Sequence, residues 1–81
     1  MDKKKVFEEL VNILKSDIGL TIDIEIGTAL LAGGILDSMD FMSYVTNVEE
    51  KFSIKISDED ISKYKLGIIS NMIDYILTKI S

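Results

Sequence analysis

The sequence predicts an all-α fold: a small, right-handed antiparallel four-helix bundle, with three longer helices, one short one and a long first loop. Three observations point there. The chain has 81 residues with no cysteine and no histidine, so neither a disulfide nor the commonest metal ligand can staple so small a core. Its apolar residues recur at three- and four-residue spacing through most of the chain. Proline is absent, which leaves five glycines as the main punctuation. A chain of this length buries roughly 60–65% of its unfolded surface, enough for one modest core and too little for a deep enclosed active site. Residues 1–81 therefore read as a single domain, without internal repeats or low-complexity stretches.

Val6, Leu10, Ile13, Leu14 and Ile18 keep helical spacing, with Glu8, Glu9, Asn12 and Lys15 on the other side. This predicts a first helix over residues 3–17, stopped at Gly19. Residues 20–36 form a long connection. Ile22, Ile24 and Ile26 alternate with Asp23 and Glu25 as a strand would, but no second convincing strand exists to pair with them. The expectation is an ordered loop whose Ile, Ala and Leu residues tuck under the bundle, with a turn of helix at Leu30–Leu31. From Ser38 the apolar residues Phe41, Val45, Val48 and Phe52, with Tyr44 beside them, predict an amphipathic helix to about residue 51, ended by Ser53. Ile54, Lys55 and Ile56 make an extended link. Ser57 and Asp60 stand in the first and fourth places of a capping-box-like start, opening a short helix from Asp58 to Tyr64. After Gly67, the residues Ile69, Met72, Ile73, Ile76 and Ile80 mark the last helix. Phe41, Phe52 and Tyr75 are read as core, and whether Phe41 also lines a space for an apolar guest stays open.

Charge narrows the partners. All nine basic residues are lysines, and the net charge is −5. Residues 37–60 hold two lysines and seven acids, so this segment alone carries a charge equal to that of the whole chain. A negative field there repels nucleic acid and favours partners with basic docking patches. Taken alone, the acidity serves solubility equally well. Lys3, Lys4 and Lys5 do not open a signal peptide, because Glu8 and Glu9 interrupt the apolar stretch behind them. The longest apolar run, Ala29 to Leu36, is too short to span a bilayer. A soluble, unexported, cytoplasmic chain is expected.

The run from Gly34 to Asp40 places the Ser38 hydroxyl between two carboxylates, where a glycine-containing loop gives way to a helix. Asp37 is an N-cap candidate, and Ser38 then lies in the first turn, where backbone N–H groups are unpaired and the helix dipole is positive. A phosphate ester on that hydroxyl would be held at a ready anion site. Most Asp-Ser pairs before apolar runs are only helix starts, and on these residues alone that plain reading leads. Hydrolysis by Ser38 is excluded, since no histidine activates it and no Ser-x-x-Lys arrangement follows it. Asp58, Glu59 and Asp60 resemble a calcium loop only at first sight. Its sixth position is Lys63 instead of glycine and its twelfth is Ile69 instead of glutamate, so no metal site is expected.

The order of these motifs resembles the acyl carrier protein family. Leu36-Asp37-Ser38-Met39-Asp40 opens the second long helix, Val48-Glu49-Glu50-Lys51-Phe52 closes it, and Ile54 to Asp60 and Ile73-Asp74-Tyr75-Ile76 follow in register across essentially the whole chain. The resemblance implies a carrier without catalytic residues of its own. It implies 4'-phosphopantetheine, derived from coenzyme A, attached covalently to Ser38. It also implies a recognition surface of Asp37, Met39, Asp40, Met42, Glu49 and Glu50. Because Phe41, Val45, Val48 and Phe52 already supply the core stripe, Met42 is expected to face partner enzymes. The implied partners are a phosphopantetheinyl transferase, an acyl-loading ligase or transferase and downstream synthases; no nucleic acid or stable membrane insertion is implied, and the carrier is expected to be a monomer. Ser43 and Thr46 stand where fatty-acid carriers place an acidic and an apolar surface residue, and the Gly33-Gly34-Ile35-Leu36-Asp37 approach is closer to stand-alone carriers of specialised pathways. The alternative, from another class, is a small acidic helical interaction module without a prosthetic group.

Overall fold

The computed structural model describes residues 1–80. They form α1 (Lys3–Asn12), continued by a π-helical segment (Ile13–Ile18), then α2 (Ser38–Phe52), α3 (Asp58–Lys63) and α4 (Ile69–Ile80). Nothing in the sequence pattern marks the switch to π winding, which corrects the expectation of one regular helix over residues 3–17. The spacing of Ile13, Leu14 and Ile18 suits either winding. The π segment seats against α2 while α1 packs on α4. At its end Gly19 turns left-handed at φ 90°, and the Leu14 carbonyl accepts from the N–H groups of both Gly19 and Leu20.

Caps set the other boundaries. The Asp2 carboxylate accepts from the Lys5 N–H at 2.8 Å, offsetting three lysines crowded at the positive end of the α1 dipole. Asp37 and Ser57 cap α2 and α3 in the same manner. Ser53 closes α2 in a left-handed conformation, as expected for the residue that ends it. α2 runs one residue past the expected end and α3 stops at Lys63, with Tyr64 as its cap.

The 20–36 connection is ordered, and it buries Ile24, Leu30 and Leu36 while leaving Ile22, Ile26 and Leu31 exposed. The alternating Thr21–Ile26 stretch forms no strand. Instead the loop is tied to the start of α4: Leu30 N–H donates to Gly67 O at 2.8 Å, Ile69 N–H to Thr28 O at 3.0 Å and Ser70 N–H to Ile26 O at 2.8 Å. An isolated antiparallel bridge joins Ala29 to Ile68 within this ladder. A single helical turn follows, in which Gly33 N–H donates to Ala29 O and Gly34 N–H to Leu31 O, both at 3.0 Å.

One apolar cluster joins the elements. Val6 and Leu10 of α1, Ile13 and Leu14 of the π segment, Phe41, Tyr44, Val45, Val48 and Phe52 of α2, and Ile69, Met72, Ile73, Tyr75 and Ile76 of α4 all enter it. Ile80 shares the spacing of its α4 neighbours but lies exposed at the helix end. α3 contributes no buried residue, and the buried anchors Ile56 and Leu66 flank it. The Tyr75 hydroxyl pins α3 to α4 by donating to the Asp60 carboxylate at 2.6 Å. Across the bundle, Lys51 reaches Glu9 at 2.9 Å and, by donating that hydrogen bond, holds the Glu9 carboxyl below its ordinary range. Among the described residues, no helix is long and apolar enough to cross a membrane.

Two predictions follow from these contacts. Gly33→Ala would set a Cβ 2.5 Å from the Ala29 carbonyl oxygen, a backbone atom that has no rotamer to yield. A loss of about 1–3 kcal/mol in urea unfolding is expected. Desolvation, with help from Asp60, pushes the Tyr75 hydroxyl up to about 12 from its ordinary value of 10.0, so the folded state favours the neutral phenol. Its stabilising effect is complete below the unfolded value and is lost as pH rises from there through about 12. Tyr75→Phe should lose about 1 kcal/mol at neutral pH, and its unfolding midpoint should fall less steeply than wild type over that alkaline window.

Candidate functional site

The segment leading to Ser38 is built to deliver one residue to the start of a helix. Gly34 turns the chain at φ 72°, and the Leu30 carbonyl then accepts from both Ile35 N–H at 3.0 Å and Leu36 N–H at 2.9 Å. Leu36 anchors the approach in the core at 5% exposure. Asp37 follows in an extended conformation, its carboxylate accepting from Asp40 N–H at 2.8 Å and its carbonyl from Phe41 N–H at 2.9 Å. Ser38 is thereby the first residue of α2, and it is exposed.

The electrostatics of this position are two-sided. First-turn N–H groups lack partners within the helix and favour an anion on the Ser38 oxygen. The carboxylates of Asp37 and Asp40 repel a diffusing anion. A covalently held phosphate ester is favoured over a free one by this combination, because its attachment does not depend on charge attraction. The arrangement therefore fits a phosphate-linked group, and its open, solvent-facing position leaves room for a long one.

Two spaces adjoin Ser38. A shallow groove of about 690 Å³ lies between the π segment and α2, lined by Asp17 and Ile18 on one side and by Met39, Met42, Ser43, Thr46 and Asn47 on the other. A smaller cleft of about 200 Å³ lies toward the loop and α3, lined by Leu31, Phe41, Met42, Asp58 and Ile61. Ser38 and Met42 line both spaces. Phe41 is thus a core residue that also borders a cleft, two readings the sequence left open. Asp17, Ile18 and Asn47 were not read as site residues in the sequence, since their approach to Ser38 depends on how the π segment seats on α2.

The six residues of the expected recognition surface are not equivalent. Asp37, Met39, Asp40, Met42 and Glu50 are exposed, with Met39 at 81% and Met42 at 44%. By the 100° step of an α-helix, Met39 and Glu50 share the outermost face of α2, Met42 and Glu49 one flank, and Asp40 the other. Glu49 is half-buried, and its carboxylate accepts from Ile56 N–H at 2.8 Å, fastening the link after α2 to the helix. That structural tie carried no signature in the sequence. Beneath the surface, Tyr44 is fully buried and its hydroxyl has no hydrogen-bond partner among the described residues. Burial raises its pKa and keeps it neutral. No group of three or more His, Cys, Asp or Glu among the described residues is placed to hold a metal ion.

Comparison with known proteins bears on the same segment. Residues 8–76 match the family model described as "Phosphopantetheine attachment site". The chain is 31% identical to an acyl carrier protein of Coprothermobacter proteolyticus over 77 residues, covering 94% of this chain and 92% of that one. It is 29% identical to an acyl carrier protein of Kineococcus radiotolerans, covering 91% and 90% of the two chains. An acyl carrier protein of Myxococcus xanthus is 28% identical, with 91% and 92% covered. No solved structure gives a significant match.

The cap geometry makes its own prediction. Asp37→Ala removes the acceptor for the Asp40 N–H and is expected to lower stability by about 1 kcal/mol, whereas Asp37→Asn keeps most of it. Urea unfolding of the two variants checks this, and equal losses would contradict the capping role.

Proposed function

Because the chain belongs to the acyl carrier protein family, we propose that it presents an acyl, or alternatively an aminoacyl, thioester on a 4'-phosphopantetheine arm attached at Ser38. Proteins of this family are carriers, not enzymes, and the matched family model is that of phosphopantetheine attachment. The observation that carries the assignment to Ser38 is its exposed hydroxyl at the first position of α2, inside the matched stretch and beside an open groove.

In loading, the Ser38 oxygen attacks the phosphorus of coenzyme A that bears the pantetheine. The new Ser38 O–P bond forms as the P–O bond to adenosine 3',5'-bisphosphate breaks, and the hydroxyl proton passes to a base of the transferase. Asp37 supports this by capping α2, which fixes where the hydroxyl stands. The bound arm supplies the thiol that holds the cargo as a thioester, sulfur chemistry that a chain with no cysteine lacks. Tethering raises the concentration of the cargo at each partner's active site.

The acidic 37–60 segment favours docking of basic partner surfaces, with Asp37, Met39, Asp40, Met42 and Glu50 as the contact face and Glu49 as its support. Polar, exchangeable contacts of this kind suit a protein that must leave one enzyme for the next. The partners proposed are a phosphopantetheinyl transferase, a loading ligase or transferase and the synthases of fatty-acid, polyketide or related specialised biosynthesis. We place the protein in the cytoplasm, working as one monomeric carrier domain over residues 1–81.

Incubation with coenzyme A and a broad-specificity phosphopantetheinyl transferase, followed by intact mass measurement, tests the proposal. Wild type should gain one phosphopantetheinyl group and Ser38→Ala none. A wild type that stays unmodified with several transferases points instead to a helical interaction module without a prosthetic group.

A further inference from the structure

We propose that the groove between the π-helical segment and α2 seats the phosphopantetheine arm, with Asp17, Ser43, Thr46 and Asn47 meeting its amide groups and Ile18 and Met42 its apolar carbons. The inference rests on Ser38 as the attachment point. Ser38 itself lines the groove, so an arm anchored there starts inside it.

The chemistry of the two partners matches. Beyond its phosphate the arm carries a gem-dimethyl carbon, a hydroxyl and two secondary amides, each amide offering one donor and one acceptor. Asp17 is an acceptor, while the hydroxyls of Ser43 and Thr46 and the amide of Asn47 both donate and accept. None of these four side chains has a hydrogen-bond or ion-pair partner among the described residues, so their capacity is unspent on the fold. The groove is shallow and open, about 690 Å³ in volume, so it offers a bed along the surface for an extended arm. Attachment removes the need for tight contacts, because a short flexible tether gives an effective concentration on the order of millimolar.

The other space beside Ser38 fits the arm less well. It is about 200 Å³ in volume, and Leu31, Phe41, Met42 and Ile61 leave Asp58 as its one polar lining residue besides Ser38. Two amides would enter it at the cost of their hydrogen bonds. The inference also gives the π winding a role, since this segment brings Asp17 and Ile18 to the groove, and π turns recur at functional sites.

The test uses the whole chain, ¹⁵N-labelled, loaded from coenzyme A and verified as fully modified by intact mass. Amide spectra of the apo and loaded forms should differ at Asp17, Ile18, Thr46 and Asn47, including the Asn47 side-chain amide. Thr46→Val combined with Asn47→Ala, compared at full loading, should lose at least half of the change at Asp17 and Ile18. If that variant does not fold, nuclear Overhauser contacts from the arm's methyl groups decide the matter in wild type: contacts to the Ile18 side chain support the groove, and contacts to Leu31 or Ile61 overturn it. Full loading with changes confined to Met39–Phe41 would overturn the seat and mean an arm free in solvent. Changes at Leu31 and Ile61 would overturn it in favour of the smaller cleft. Both results leave the carrier reading intact, whereas a wild type that gains no mass overturns both.

Discussion

The backbone ladder between the first loop and the start of α4 is the constraint on which the remaining architecture depends. Three hydrogen bonds, from Leu30 to Gly67, Ile69 to Thr28 and Ser70 to Ile26, fix the middle of a long connection against the far end of the chain. Without them the approach to Ser38 would be a tether, and the position of α2 would rest on side-chain packing alone. With them, Leu30 becomes a fixed post. Its carbonyl turns the chain through Ile35 and Leu36, and Asp37 arrives in the extended conformation that a cap requires. The site is thus positioned by residues that lie about thirty places further along the chain.

Much of the fold was legible because its signals are local. Apolar spacing located α1, α2 and α4, the Ser57–Asp60 capping box located α3, and Asp37 and Gly19 marked ends by chemistry that acts within three or four residues. The loop could be read as a loop because its alternating isoleucines had no partner strand. What escaped was set by contacts across the bundle. The π winding at Ile13–Ile18 belongs to a segment seated against α2, and the Ala29–Ile68 bridge joins two segments with no shared pattern. Glu49 shows the same division at the level of one side chain. Its acidity was visible and its place on α2 was right, but its bond to Ile56 N–H depends on the path of the chain after Ser53. Of the candidate site, the serine and its cap were legible, and the groove that adjoins them was not.

The chemistry of the chain is one of restraint. With no cysteine, no histidine and a surplus of carboxylates, it has little intrinsic reactivity to offer a bound intermediate. That suits a protein whose covalent cargo must survive transit between enzymes. In the proposed carrier role, the negative charge over residues 37–60 would separate recognition from reaction, since it favours basic surfaces while the reactive atom belongs to the attached group. Tyr44 fits the same pattern, as burial keeps its phenol neutral and unable to act as a nucleophile.

α3 stands apart from the other helices in burying none of its residues, although Ile56 and Leu66 secure its two ends in the core. Lifting its middle sacrifices the partly buried Ile61 and the Tyr75–Asp60 hydrogen bond but uncovers little of the apolar cluster. What holds the middle of α3 is therefore modest beside the shared core of α1, α2 and α4. The bundle combines a packed frame of α1, α2 and α4 with one helix held mainly at its two ends, so α3 is the element where a local opening would cost least.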